Sequence, residues 1–297
     1  MAEAEKILSA AVEAYRAGLG ERLVAAYALG SLAHGGFSPL VSDIDLGLVL
    51  ADPVQPTDAD AIQAIAEARK RAGPPLAERL SVFWGTPSTL RGADGGRFPP
   101  LDRLDLIANG RLLARVDARD DLPQPTAEEL LISGAQFALD FLAGIRTDTA
   151  PVAAGLGSMR PATGEAISEV RDPELLLTRG TRRVTKLVLF PVRFMYTAAT
   201  GQVGTNEDAA RWYLALAGAP AKSLVDAALE WRARDIEDAS TAGPLLREQL
   251  LPLYQQYIDD RIERLTVAGA PHLVRGFKEW RELLTARPGR LPDPPDA

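Results

Sequence analysis

The chain has no cysteine, which excludes disulfides and any cysteine-ligated zinc or iron–sulfur centre. Histidine is scarce: His34 and His272 are the only two, too few for most histidine-rich metal centres. Basic residues are outnumbered, and the formal charge is −7. Non-specific attraction to nucleic acid or anionic lipid is therefore not expected, whereas a divalent metal or a cationic substrate would be tolerated better. No apolar run approaches the roughly 18 residues of a membrane span. The opening stretch MAEAEKILSAAVEAYRAG has early acids and helical spacing rather than a signal peptide's apolar centre. A cytoplasmic protein with neither a membrane nor a nucleic-acid partner is the expectation. There is no internal repeat, and no G-x-x-x-x-G-K-[ST] to support a P-loop NTPase.

What is present is ordinary globular material, 46% hydrophobic and 25% charged, and 297 residues suffice for one or two domains. Up to residue 123 helical and strand-like segments alternate. RLVAAYAL, DIDLGLVL and RLSVFWG read as strands, set among helices over 2–18, 57–73 and PLDRLDLIAN. DARDDLPQPT reads as a linker. Beyond it the pattern is helical through AEELLISGAQFALDFLAGI, RRVTKLVLFPVRFMYTAAT, NEDAARWYLALAG, AKSLVDAALEWRARDI and PLLREQLLPLYQQYIDDRIERL, while residues 146–180 show no clear period. The expected fold is α+β: an N-terminal α/β domain with a mixed sheet over 1–123, an all-helical bundle over 124–287, and a disordered tail at 288–297.

The chemistry concentrates in GSLAHGGFSPLVSDIDL. Alternate strand residues share a face, so Asp43 and Asp45 point the same way about 6.6 Å apart. Magnesium is commonly held by one or two carboxylates plus substrate phosphates, and a pair of such ions suits phosphoryl displacement. Gly30 lets backbone approach a ligand, a helix start beyond it offers free N–H groups, and Ser31 adds a hydroxyl.

This signature resembles that of the polymerase-β-like nucleotidyltransferase superfamily: Gly-Ser, a variable loop, then Asp-x-Asp. The resemblance implies transfer of a nucleoside monophosphate from an NTP, with ATP favoured, to a hydroxyl. It implies Asp43 and Asp45 as catalytic metal ligands for Mg²⁺, and Gly30 and Ser31 at the phosphates. The second half is similar to the helical domain of aminoglycoside 3″-adenylyltransferases at Arg193, Tyr196, Thr200, Gly201, Ala209, Ala210 and Trp212. In that family the nucleotide lies in the interdomain cleft, so a nucleotide and a small-molecule acceptor are the expected partners.

The sequence departs from that pattern in three places. The family's third carboxylate falls on Leu80 or Ser81; Glu78 is the nearest substitute, and Asp102 and Asp105 read as decoration on an exposed helix face. A lysine expected near the ATP phosphates falls on Asn206. An acid that would meet a cationic antibiotic falls near Arg183, whose charge would repel such a substrate. At about 100° per residue, Arg182, Lys186 and Arg193 lie within about 40° of one another and form a stripe suited to a triphosphate. Pro191 is expected to kink that helix. Tyr196 and Trp212 read as core or as a base-stacking pair, and His34 as a loop residue over the nucleotide. A catalytically weakened nucleotide-binding sensor is the rival reading, and a D-x-D glycosyltransferase explains the metal but not Gly-Ser.

Overall fold

A computed structural model describes residues 1–146, 164–237 and 239–286; the expected tail at 288–297 lies outside them. Four strands, β1 (Leu23–Leu29), β2 (Ile44–Leu50), β3 (Leu80–Gly85) and β4 (Arg111–Arg115), form one sheet in the order β3-β2-β1-β4. β1 pairs antiparallel with β2 and with β4, and β2 runs parallel to β3, which makes the sheet mixed. The helices among these strands are α1 (Ala2–Leu19), α2 (Gly30–His34), α3 (Asp58–Ala72), α4 (Pro87–Leu90) and α5 (Pro100–Asn109).

Period-two alternation sorts the strand residues between two cores. Ile44, Leu46, Leu48, Leu80, Val82, Ala26 and Ala28 pack with Ile7, Leu8 and Val12 of α1 and with Ile62 of α3. Ala25, Tyr27, Leu29, Val49 and Phe83 pack on the other face with Leu106 of α5. Asp45 and Ser81 fall on this second face by the same alternation.

The rest is helical: α6 (Ala127–Ala138), a π-helical turn at Leu139–Ala143, α7 (Glu165–Arg171), α8 (Pro173–Thr178), α9 (Thr181–Thr200), α10 (Asn206–Ala215), α11 (Lys222–Glu230), α12 (Ala239–Val267) and α13 (Pro271–Thr285). Two short helices, α7 and α8, lie where no period was legible. α13 completes a core around Tyr254, Tyr257, Phe277 and Trp280.

α9 runs from Thr181 to Thr200 with Pro191, the expected site of a kink, inside it. Proline lacks the N–H that would bond the carbonyl four residues earlier. That carbonyl, on Leu187, instead accepts from the Tyr254 hydroxyl of α12 at 3.0 Å. Thus a buried tyrosine satisfies the acceptor that the proline leaves free.

Candidate functional site

The site forms where the C-terminal end of β1 and the start of β2 meet the helical half. Gly30 follows β1 with φ +59°, a left-handed conformation that glycine adopts without steric cost. A Cβ there would run into Asp45 Oδ2, so the position also needs a residue without a side chain. In register, Leu29 faces Asp45 across the β1–β2 ladder, and Asp45 faces Ser81 across β2–β3. The strand position next to Asp45 is therefore a serine, not a carboxylate.

Carboxylates come instead from α5. Asp102 and Asp105, three residues apart, line the same cavity as Asp43 and Asp45, which corrects their reading as surface decoration. Asp105 is buried and accepts from the Gly30 N–H at 2.6 Å and from Asn109 at 2.8 Å. That N–H, expected to seat a phosphate, is engaged by this carboxylate. Burial, then the charges of Asp43, Asp102 and Asp105, push the Asp45 carboxyl well above its usual range. Burial and Asp105 push Asp102 up to about 7.

Asp43 is held differently. Arg182 and Lys186 of α9 each pair with one of its carboxylate oxygens, Lys186 at 2.5 Å. Burial opposes ionisation of Asp43, but these two cations outweigh it and hold the carboxyl below its usual value. Arg193, one cation of the same stripe, lines the cavity directly. Arg97 also lines it, 5.6 Å from the Phe83 ring centroid, and burial lowers its pKa to about 10. His34, at the end of α2, faces the cavity, and burial lowers its imidazole pKa.

The structure thus brings together Gly30, Asp43, Asp45 and Arg193 around a cavity of about 250 Å³, with Lys186 reaching it through Asp43. It does not bring Glu78 there: that residue is exposed in the turn before β3, because the strand begins only at Leu80. Ser31, in the first turn of α2, and Asn206, which opens α10, are half-buried and outside the cavity lining. Arg183 turns to the buried Glu169, with Nη2 at 2.6 Å, and so presents no free charge to a substrate. Tyr196 packs edge-on to Trp212 with centroids 6.0 Å apart, and neither lines the cavity. Alternation made Asp45 legible. Asp102 and Asp105 resembled a solvated helix face, and only the packing of α5 against the sheet distinguishes them.

Among the described residues no three His, Asp or Glu side chains form a ready metal-ligand set. The donors still fit magnesium, which needs only one or two carboxylates when phosphates supply the other oxygens. Asp45 is half-buried and lines the cavity together with Asp43, Asp102 and Asp105, whose like charges help raise its pKa. A divalent cation among these carboxylates would offset their mutual repulsion.

A mixed sheet with Asp45 on β2 and Asp43 just before it, together with a helical half, lines one charged cavity. Comparison with protein-family models gave no match, and neither did comparison with curated proteins. Among solved structures the chain is similar to spectinomycin adenyltransferase AAD(9) from Enterococcus faecialis, determined with ATP and spectinomycin. The TM-score is 0.54 at 10% identity, covering 84% of this chain and 98% of that one. The likeness is one of fold. Among the described residues no helix is long and apolar enough to cross a membrane.

Proposed function

We propose that this protein transfers the adenylyl group of ATP to a hydroxyl of a small-molecule acceptor, with magnesium. The observation that carries this reading is Asp45: a half-buried strand carboxylate that lines the cavity together with Asp43, Asp102 and Asp105. Asp43 and Asp45 would hold the metal, which when bound supplies neutralisation of charge on the phosphates. Arg182, Lys186 and Arg193 draw the triphosphate to the α9 wall, and positioning and electrostatics contribute most of the rate. The acceptor oxygen forms a bond to the α-phosphorus, the bond to the β-phosphate oxygen breaks, and pyrophosphate leaves.

The acceptor's proton passes to Asp102. A carboxylate from α5 then replaces the one missing beside Asp45, and a pKa of about 7 suits a base near neutral pH. A domain boundary at 123 is supported by the sheet cores and the bundle core drawing on separate stretches of chain, while the one at 287 lies outside the described residues.

The test is pyrophosphate release from labelled NTPs with magnesium and a panel of hydroxyl compounds. Turnover that Asp45→Asn abolishes supports transfer. Ser81, where the strand lacks its carboxylate, favours a second reading as a nucleotide sensor. Nucleotide-dependent thermal stabilisation with no turnover on any acceptor would select it.

A further inference from the structure

Much of the cavity lining that comes from the helical half is aromatic. Phe137 and Phe141 of the α6 region and Phe190 and Phe194 of α9 all line it. Phe137 stacks on Phe190 with centroids 5.4 Å apart and planes 15° apart, and Phe194 lies 4.3 Å from Phe190. Phe137, Phe190 and Phe194 are only partly buried, so they border the bundle core rather than fill it.

Two departures from regular helix fall at this wall. Gly134 sits inside α6, where glycine is unfavourable relative to alanine. A Cβ there would come within 2.9 Å of the Phe194 ring, so the missing side chain makes room for that ring. α6 then passes into the π-helical turn that carries Asp140 and Phe141 to the cavity. Such turns recur at functional sites because they re-aim side chains.

We infer that this wall binds a planar aromatic ring, and that the ring belongs to an aromatic alcohol acting as the acceptor. The role of its hydroxyl rests on the nucleotidyl-transfer reading; the ring site does not. Phenylalanine rings offer offset-stacked and edge-on contacts to such a ring. A nucleobase also bears a planar ring, so the test must separate the two.

The probe is 1-naphthalenemethanol, titrated against the full chain by saturation-transfer NMR, with magnesium–ATP uptake followed separately by calorimetry. Phe190→Leu and Gly134→Ala are compared with the unmodified protein, each checked by its circular-dichroism melt; Gly134→Ala keeps every ring but displaces Phe194. The expected result is saturation of the naphthalene protons, affinity at least tenfold weaker in both variants, and ATP uptake within twofold of the parent. ATP uptake weakened by Phe190→Leu would give the wall to the nucleobase and overturn the inference. So would normal ATP uptake with no binding of the alcohol. Ring binding through Phe190 without any ATP uptake would leave the aromatic site standing and remove the nucleotidyl-transfer reading instead.

Discussion

Asp102 and Asp45 carry opposing demands, since burial disfavours the charge that chemistry requires. A carboxyl whose pKa rises on folding is neutral in both states below about pH 4 and costs nothing there. As pH climbs from the unfolded value of 3.8 toward about 7, the folded chain retains a proton that the unfolded chain releases. Stability therefore falls across that window, by at most about 4 kcal/mol for Asp102 at roughly 1.36 kcal/mol per unit. Urea titrations at pH 4.5 and 7.5 should show this loss, and Asp102→Asn should flatten it. The same variant should lower turnover about 10²–10⁴-fold if Asp102 accepts the proton; the parent's turnover should then rise through about pH 7 and the variant's should not. Gly30→Ala combines a left-handed backbone with a clash against Asp45. Chemical denaturation should show a loss of at least about 1–2 kcal/mol.

Helix α9 serves two purposes along its length: cations over Asp43 near its start, aromatic rings farther on. Its continuity depends on α12, because Tyr254 satisfies the Leu187 carbonyl that Pro191 cannot. Tyr254→Phe strips a buried acceptor of its partner and should cost about 1–3 kcal/mol by denaturation, whereas Pro191→Ala with Tyr254→Phe should recover part of that loss. Much at this scale was legible in the sequence. The apolar runs at 23–29, 44–50 and 80–85 identify their strands, and the stripe of Arg182, Lys186 and Arg193 follows from helical geometry. What was not legible depends on contact between distant segments. Nothing near Arg183 announces Glu169, nothing near Pro191 announces Tyr254, and α5's acids differ from solvated ones only by the sheet beneath them. Glu78 failed for a local reason: its turn ends before the strand begins.

Sheet and bundle are tied together at several points. Arg182 and Lys186 reach Asp43, Arg232 donates to the Gly36 carbonyl at 2.5 Å, and the Ser38 hydroxyl donates to the Arg232 carbonyl. A ligand spanning both halves should raise the stability of the whole chain. At a free concentration 100 times Kd, magnesium–ATP should add about 2.7 kcal/mol, read as a shift of the urea midpoint. Lys186→Met should shrink that shift and weaken uptake, more at low ionic strength than high, because the lost attraction is screened by salt. The two cations bound to Asp43 also bear on the order of assembly. Polyphosphate alone must lure them from the aspartate and strand its charge, while metal alone must evict them with nothing to receive them. Supplied together, each reactant resolves the other's conflict, so their uptake should be strongly cooperative and, by linkage, equally so in either order of addition.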